Sequence, residues 1–438
     1  MRKFILFLLS LCSLSCAQSA NQKEPLCLPQ LKPQMKITGL NLNSLYSDYI
    51  VSFQKVHSLQ PSGQPLREYN VKSIQLKKLN DKTFTFKMPI SEIEQTLQKL
   101  SEIGEIEFLE PDFEVQATQV KTSSFNQAQW AHHLIQSEQA WAKSNGAHHL
   151  VVAVVDSGID YQHIDLKNII WKNSLEIMNG LDDDRNGYVD DIRGWNFVEK
   201  NNDPKTNVNS NHGTHVAGII GSQGNTSSSV KGETQHVRLL PLRFISETGT
   251  GSTSNAIRAI DYAIQKKVFA INNSWGSFNR SEALSQAISR AEKAGILFLA
   301  AAGNDGINLS QMPFYPASFP HSNLISVAAT QANDQLTSFS NYSRELVDVA
   351  APGSQILSTV TGNRYMKMSG TSMATPFVAG LAVLVKAANQ NLNFLQIKSI
   401  IQSSVDQKAG LFNKVKSSGR INAKKAVDLA LQYETLCN

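Results

Sequence analysis

Leu150-Val-Val-Ala-Val-Val-Asp156 is the stretch that decides the fold, because it is an apolar run, rich in β-branched residues, that ends on a carboxylate. Such a run is typical of a strand buried on both faces, as in a parallel sheet. Ile296-Leu-Phe-Leu-Ala-Ala-Ala302 is a second run of this kind. The sequence therefore predicts an α/β fold with a central parallel sheet flanked by helices. Because open α/β sheets carry their sites at the carboxyl ends of strands, Asp156 is a candidate site residue.

Two further segments present a reactive type of side chain at the start of a predicted helix. His212 opens His-Gly-Thr-His-Val-Ala-Gly218, which is small and apolar and follows polar residues. Ser372 lies in Met368-Ser-Gly-Thr-Ser-Met-Ala-Thr-Pro-Phe-Val-Ala-Gly380, and the proline of that run fits a helix only close to its first turn. The amides and the dipole at a helix start favour negative charge beside Ser372.

Asp156, His212 and Ser372 together supply the groups that nucleophilic catalysis requires. A serine hydroxyl is a poor nucleophile, so it needs an imidazole to take its proton and a carboxylate to orient that imidazole. Taken singly, each residue has a plainer explanation: a turn, a structural histidine or a helix cap. Their occurrence together, in the chain order Asp, His, Ser, favours the catalytic interpretation.

In these three motifs and their order the chain resembles the subtilisin-like serine peptidases, the subtilase family, over about residues 129–430. The resemblance implies a subtilisin-like fold and a serine endopeptidase that acts through an acyl-enzyme. It assigns the three residues to a catalytic triad. It also assigns Asn304, which follows the second apolar run, to an oxyanion hole with the amide of Ser372. His215 is predicted to be a packing or hydrogen-bonded neighbour.

The resemblance also implies where a peptide substrate binds. Two backbone segments would flank the substrate as an added strand. The residues assigned to them are Gly249, Gly251, Ser274, Trp275 and Gly276. Phe314 falls where the floor of the first specificity pocket is expected, and its ring predicts a shallow pocket that favours small or medium side chains.

A second constellation is acidic: Asp182-Asp-Asp-Arg-Asn-Gly-Tyr-Val-Asp-Asp191. Oxygen ligands at alternate positions are the spacing of a calcium loop. The candidate ligands are Asp182, Asp184, Asn186, the carbonyl of Tyr188, and Asp190. Arg193 stands where such a loop has a bidentate Glu, so we expect a weaker site or one completed from elsewhere. A solvated acidic turn stays open. A bound Ca²⁺ would stabilise the fold, and catalysis would need no cofactor.

The composition is ordinary for a soluble globular protein, with 438 residues of which 41% are hydrophobic and 18% charged. The length leaves room for more than one domain. A net charge of +5 without a basic run does not favour nucleic acid as a partner. Polypeptides are the expected substrates.

The N-terminal residues have the features of an export signal. Two cations precede the short apolar run Phe4-Ile-Leu-Phe-Leu-Leu-Ser-Leu11, which predicts a signal peptide over residues 1–19 and a secreted or cell-envelope protein. The run is too short to span a membrane, and no second stretch predicts a transmembrane helix. Leu14-Ser15-Cys16 resembles part of a bacterial lipoprotein acceptor site. A lipid anchor at Cys16, with a periplasmic or outer-membrane association, is the alternative.

Cys27 and Cys437 are the cysteines that remain after the signal region. They are too few and too far apart in sequence for a catalytic thiol or a zinc site. In an oxidising compartment we predict that they pair, which would tie the N-terminal segment to the C-terminus.

Residues 20–117 predict a small α+β unit, with strands near residues 49–53 and 83–86, a helix over residues 93–103 and a returning strand over residues 106–115. The unit resembles the pro-domain of subtilisin-like zymogens, which implies that it assists folding and inhibits the enzyme with its tail. An independent binding domain stays open. Residues 118–129 predict a polar linker where self-processing occurs. Residues 130–438 are then the peptidase domain.

The sequence thus predicts a serine endopeptidase made as a self-processing zymogen, with its own pro-domain as inhibitor. Two alternatives stay open. One is a catalytically silent or permanently inhibited protein that acts as a binding or folding-assistance module, and the other is a calcium-dependent structural module. Self-cleavage and the reaction of Ser372 with an active-site probe distinguish them.

Overall fold

The computed structural model describes residues 16–17, 26–27, 36–37, 48–56, 68–71, 74–89, 92–118, 129–206, 210–226 and 229–436. Most of the predicted signal peptide, residues 119–128 of the predicted linker, and Cys437 lie outside the described residues. The chain divides into two compact units, Met1–Asp112 and Phe113–Asn438.

The first unit contains an antiparallel pair of two-residue strands and a larger sheet with one helix packed on it. The strands are β1 (Cys16–Ala17), β2 (Leu26–Cys27), β3 (Lys36–Ile37), β4 (Asp48–Val56), β5 (Glu68–Val71), β6 (Ile74–Lys78), β7 (Thr83–Lys87) and β8 (Gly104–Pro111), and the helix is α1 (Ile93–Ile103). The larger sheet has the order β3-β8-β4-β7-β6-β5. Ile93, Leu97 and Leu100 recur at helical spacing and are buried, so one face of α1 completes the core of this unit.

The predicted strand over residues 106–115 is divided in the structure. β8 ends at Pro111, which has no amide hydrogen to donate, and the amide of Asp112 makes the next bond, 3.0 Å to the carbonyl of Asp48. Residues Glu114–Ala117 form a separate strand, β9, that belongs to the second unit. The change of unit at this point was not predicted.

The second unit is built on a mostly parallel sheet of order β11-β12-β10-β14-β16-β17-β18-β22-β21. These strands are β10 (Gly146–Asp156), β11 (Trp195–Asn196), β12 (His236–Arg243), β14 (Ala270–Asn273), β16 (Leu297–Ala301), β17 (Leu324–Thr330), β18 (Val349–Pro352), β21 (Asp406–Gln407) and β22 (Gly419–Arg420). Val152 to Val155 of β10 pair with Ala270 to Asn273 of β14, and only β21 and β22 pair antiparallel within this sheet as described. The predicted α/β fold class is confirmed.

Helices and short strands surround this sheet. The helices are α2 (Trp130–Leu134), α3 (Ser137–Trp141), α4 (His212–Gly221), α5 (Thr253–Gln265), α6 (Glu282–Lys293), α7 (Thr371–Ala388), α8 (Phe394–Ser403) and α9 (Ala423–Leu436). The further strands are β13 (Thr250–Ser252), β15 (Trp275–Gly276), β19 (Ile356–Val360) and β20 (Arg364–Met368), and Ala409–Leu411 form a 3₁₀ turn. By length and composition α7 could cross a membrane, but 83% of it is buried in this unit, as in the core helix of a globular protein.

Candidate active site

Asp156 is the last residue of β10 and is fully buried. Its position follows from the apolar run before it, which forms the interior of the sheet and delivers the carboxylate to the carboxyl edge. The amide of Ser157 donates to Asp156 Oδ1 at 2.6 Å. This hydrogen bond helps to hold the carboxylate at the edge of the sheet.

His212 is the first residue of α4 and lies against Asp156. Its Nδ1 is 2.8 Å from Asp156 Oδ1 and 3.0 Å from Oδ2. A neutral imidazole donates through one nitrogen and accepts through the other, so this contact leaves Nε2 as the acceptor. His212 Nε2 is buried, and within the described part of the chain it has no hydrogen-bond partner. Asp156 thus orients the imidazole through Nδ1, and Nε2 is left available to accept a proton.

Ser372 is the second residue of α7, just after the N-cap Gly370. Its hydroxyl is 3.0 Å from the carbonyl oxygen of Ser274 and also contacts the carbonyl of Thr118. The Ser372 amide lies in the first helical turn, where backbone donors lack an intrahelical acceptor. The Ser372 hydroxyl and the Ser372 backbone amide therefore lie together at the start of the helix.

Asn304 follows β16 and is held by the residue that precedes Ser372. Its Oδ1 accepts from the Thr371 amide at 2.9 Å and from the Thr371 hydroxyl at 3.0 Å. Asn304 Nδ2 is buried and has no acceptor among the described residues. Thr371 thus fixes the orientation of the amide and leaves its donor pointing away from α7. Thr371 lies in the Gly-Thr-Ser motif, but its contact with Asn304 was not predicted from the sequence.

Gly303 allows the chain to turn between β16 and Asn304. It has φ of +100°, and a Cβ at this position would lie 2.3 Å from Asn341 Nδ2. Only glycine adopts this positive φ and leaves room for the Asn341 side chain without strain. The backbone of this turn therefore helps to position Asn304.

The predicted substrate-binding segments enclose an extended piece of the chain itself. Strand β9 lies between β13 and β15 and pairs antiparallel with both: Val115 is opposite Gly251, and Gln116 is opposite Gly276. The Ala117 amide donates to the Gly249 carbonyl and the Thr118 amide to the Ser274 carbonyl, both at 3.1 Å. A peptide thus occupies this cleft as an added strand that ends at Ser372.

Phe314 is buried beside two glycines of the cleft. A Cβ on Gly276 would lie 2.2 Å from the Phe314 ring, and one on Gly303 would lie 3.0 Å from it. The ring also meets Phe278 edge to face, with centroids 5.2 Å apart. The space next to Gly276 and Gly303 is therefore partly filled by an aromatic side chain.

The comparisons with known proteins agree with this geometry. A family model described as the Subtilase family matches residues 147–422. The chain belongs to the subtilase family. As a subtilase it is a serine-type endopeptidase, and its substrates are polypeptides.

Several relatives are about one third identical to this subtilase over the aligned residues. A thermophilic serine proteinase of Bacillus sp. (strain AK1) is 33% identical over 381 residues, which cover 87% of each chain. Thermitase of Thermoactinomyces vulgaris is 35% identical over 305 residues, which cover 69% of this chain and 97% of thermitase. Subtilisin-like protease 1 of Plasmodium vivax is 35% identical over 299 residues, which cover 64% of this chain and 47% of that relative.

His215, three residues after His212, is buried and bonded away from the cleft. Its Nε2 is 3.0 Å from the carbonyl oxygen of Ile356 and 2.9 Å from that of Met366, so it donates there. Burial lowers the pKa of His215 to about 3. The neutral ring links α4 to the hairpin of β19 and β20, as expected of a structural residue.

Of the five predicted ligands in the acidic loop of this subtilase, Asp184 alone belongs to the carboxylate cluster found among the described residues. Asp182 accepts from the amides of Asn186 at 3.0 Å and Gly187 at 2.6 Å. Asp190 accepts from the amides of Asn179 at 2.9 Å and Gly180 at 3.0 Å. These carboxylates therefore cap turns of the loop.

Asp184 instead meets two carboxylates that the spacing did not indicate, Glu176 and Asp191. One oxygen from each of the three lies within 4.8 Å of the others. Burial, with the charges of Asp191 and Asp184, raises the pKa of Glu176. These three residues form an acidic cluster that could hold a cation.

Lys266, at the end of α5, lies at the same cluster. Its Nζ is 2.6 Å from Asp184 Oδ2 and 3.1 Å from Asp191 Oδ2. Burial opposes ionisation of Asp184, but hydrogen bonds from Lys266 and Asn173 outweigh it and hold the pKa of Asp184 below its usual value. Nothing in the loop sequence could have indicated Lys266, because it is about 80 residues away along the chain.

Proposed function

We propose that this subtilase cleaves peptide bonds with Ser372 as nucleophile, His212 as general base and then general acid, and Asp156 as the residue that orients the imidazole. The observation that carries the proposal is the extended segment in the cleft, whose Thr118 carbonyl contacts the Ser372 hydroxyl. The 2.8 Å contact of His212 Nδ1 with Asp156 supports the assignment of the base.

The reaction follows from these contacts. Ser372 Oγ bonds to the carbonyl carbon while His212 Nε2 takes the hydroxyl proton, and the buried Asp156 stabilises the resulting imidazolium. Asn304 Nδ2 and the Ser372 amide donate to the oxyanion. The peptide C–N bond then breaks as His212 returns the proton to the leaving amine. Water, activated by the same imidazole, hydrolyses the acyl-enzyme and regenerates Ser372.

The same contacts support self-processing of a zymogen at the bond between Thr118 and Gln119. Thr118 occupies the position of the residue that donates the scissile carbonyl, and β9 supplies the residues before it. The N-terminal unit then acts as a pro-domain that inhibits the enzyme with its own C-terminal tail. Cleavage at this bond lies at the start of the processing region, residues 118–129, that the polar composition predicts.

The cleft supports a preference for substrates with a small side chain before the cleaved bond. The Thr118 hydroxyl donates to the Ser274 carbonyl at 3.1 Å, and the Phe314 ring fills space beside Gly276, which pairs with β9. Three residues earlier, Val115 is 2% exposed, so an aliphatic side chain suits that subsite. Substrates of the form aliphatic-x-x-Thr fit the cleft best.

The test of the proposed function is the intact mass, followed over time, of the purified precursor and of its Ser372→Ala variant. We expect the parent to split after Thr118 and the variant to stay intact, because the fold does not need the hydroxyl. If the variant splits at the same rate in the absence of any other peptidase, Ser372 is not the nucleophile. If neither protein splits, the silent or permanently inhibited alternative gains the support.

The N-terminal sequence supports export of the protein through a signal peptide over residues 1–19. Cleavage of the signal gives a secreted enzyme, and lipidation of Cys16 gives an envelope-bound one. Mass spectrometry of the exported protein distinguishes a free N-terminus from a lipid-modified Cys16.

The acidic cluster of Glu176, Asp184 and Asp191 supports binding of a structural Ca²⁺. Glu176 Oε2 is buried and has no partner in the described part of the chain, so the cluster has an oxygen available for a cation. Oxygen ligands of this kind suit Ca²⁺. When bound, the ion would compensate the buried negative charge, and it would take no direct part in substrate cleavage.

A further inference from the structure

The acidic cluster already contains a cation of the chain's own. Lys266 Nζ lies 2.6 Å from Asp184 Oδ2 and 3.1 Å from Asp191 Oδ2, and the three side chains are at least nine-tenths buried. An ammonium in this position contacts two of the three clustered carboxylates, one oxygen of each. Its contacts are those of an internal counter-ion and not of a solvated surface pair.

Other donors complete the surroundings of these two carboxylates. Asn173 Nδ2 donates to Asp184 Oδ2 at 2.9 Å and to Asp191 Oδ1 at 2.7 Å. Asp191 Oδ2 also accepts from the hydroxyl of Tyr262 at 2.6 Å and from Asn186 Nδ2 at 2.8 Å. Both carboxylates are therefore held in place without a metal ion.

Glu176 is the exception within the cluster. Its Oε1 accepts from the Asp184 amide at 2.8 Å, but Oε2 is buried without a partner among the described residues. When all three carboxyl groups are ionised, one ammonium leaves two negative charges uncompensated. A divalent cation in place of the ammonium would leave one.

A calcium ion bonded to Asp184 Oδ2 and Asp191 Oδ2 would sit about 2.3 to 2.6 Å from each oxygen. The ammonium of Lys266 already contacts these two oxygens, at 2.6 and 3.1 Å, so a calcium ion would have to compete with it for them. Two aromatic rings also lie beside the ammonium in this position: Nζ is 5.2 Å from the Tyr262 centroid and 5.8 Å from the Trp171 centroid.

We propose that Lys266 is a resident cation that competes with Ca²⁺ for the acidic cluster, so that calcium binds by displacing the ammonium. This inference rests on the proposed calcium role. Lys266 keeps the cluster folded without metal and lowers its affinity for the ion. Its removal converts the cluster into a tighter site on which the stability of the fold depends.

The test uses the full chain with Ser372→Ala, so that self-digestion does not interfere. Calcium is titrated by calorimetry into this parent and into its Lys266→Met, Lys266→Gln and Lys267→Met variants, and Tm is measured in EGTA and in calcium. Lys267 is the matched control, because it is the exposed neighbour of Lys266.

We expect both Lys266 variants to bind Ca²⁺ at least about tenfold more tightly than the parent, since ligand charge sets the affinity of such sites. In EGTA their Tm should fall below that of the parent and recover with calcium, whereas Lys267→Met should match the parent. If the parent and the Lys266 variants bind Ca²⁺ with equal affinity, Lys266 does not compete with the ion, although the calcium site itself is retained. If no protein binds calcium, both the site and the competition are rejected.

Discussion

At the scale of single residues, the position of Asn304 depends on one neighbour that the sequence does not identify. Asp156 and His212 could be predicted because each lies at a recognisable strand end or helix start. Thr371 could not, because its role is a contact with Asn304, which lies 67 residues earlier in the chain. A motif indicates which residues are present, whereas the orientation of an amide depends on tertiary contacts.

Replacing Asn304 by Ala should remove the side-chain donor to the oxyanion. We expect kcat to fall by about 100- to 1000-fold, because an oxyanion-hole donor acts mainly in the transition state, and KM to change little. Peptide hydrolysis by the processed enzyme measures both constants. Asn308→Ala, in the same loop, is the control and should keep the parent kcat. An Asn304→Ala enzyme with the parent kcat would remove this residue from the mechanism.

At the scale of elements, strand β9 lies in the cleft as an added strand, so the side chain at its end must fit the shape of the cleft. Thr118 is 7% exposed and lies at the end of a strand that is paired on both sides. Phe314 fills the space beside Gly276, so a larger side chain at position 118 has little room. Thr118→Phe should therefore slow self-processing by about 10- to 100-fold, since a mismatch in a specificity pocket has effects of this size.

A second substitution separates this pocket effect from a general loss of fit. Phe314→Ala enlarges the pocket and should restore processing of the Thr118→Phe precursor. Thr118→Ser keeps the hydroxyl and should process at a rate close to that of the parent. Processing is followed by gel or mass over time. Unchanged processing of Thr118→Phe, or no rescue by Phe314→Ala, would show that Phe314 does not limit the pocket.

At the same scale, the acidic loop is a case in which sequence spacing does not predict which side chains lie together as candidate metal ligands. The alternate positions 182, 184, 186, 188 and 190 suggest one ring of ligands, but Asp182 and Asp190 accept from nearby backbone amides. Short acidic side chains readily make such local bonds with the backbone. The partners that Asp184 does meet come from before the loop, from its end and from α5, and spacing within the loop contains no information about them.

At the scale of the whole molecule, the fold class was accessible from sequence because parallel strands buried on both faces have a distinctive composition. The order of the strands was not, since it depends on which apolar runs become neighbours. The division between the units was also missed: residues 106–115 have one continuous strand pattern, yet β8 ends at Pro111 and β9 pairs elsewhere. Hydrophobic pattern identifies strands, and tertiary pairing decides which sheet they join.

His215 should make the stability of the folded chain depend on pH. Burial lowers its pKa to about 3, whereas an unfolded histidine titrates near 6.5. Above about pH 6.5 both states are neutral and this site adds no pH dependence. Between about pH 6.5 and 3 only the unfolded state gains the proton, so the free energy of unfolding falls by up to about 1.4 kcal/mol per pH unit.

Chemical denaturation of the Ser372→Ala protein between pH 5 and 6.5 measures this slope in a range where most carboxyl groups stay ionised. His215→Gln retains a donor for the carbonyls of Ile356 and Met366 but cannot take up the proton. We expect it to be less stable at pH 7 and to lose stability less steeply on acidification. His149→Gln, at an exposed position, should keep the parent slope. If parent and His215→Gln have the same slope, the buried imidazole takes up its proton without unfolding.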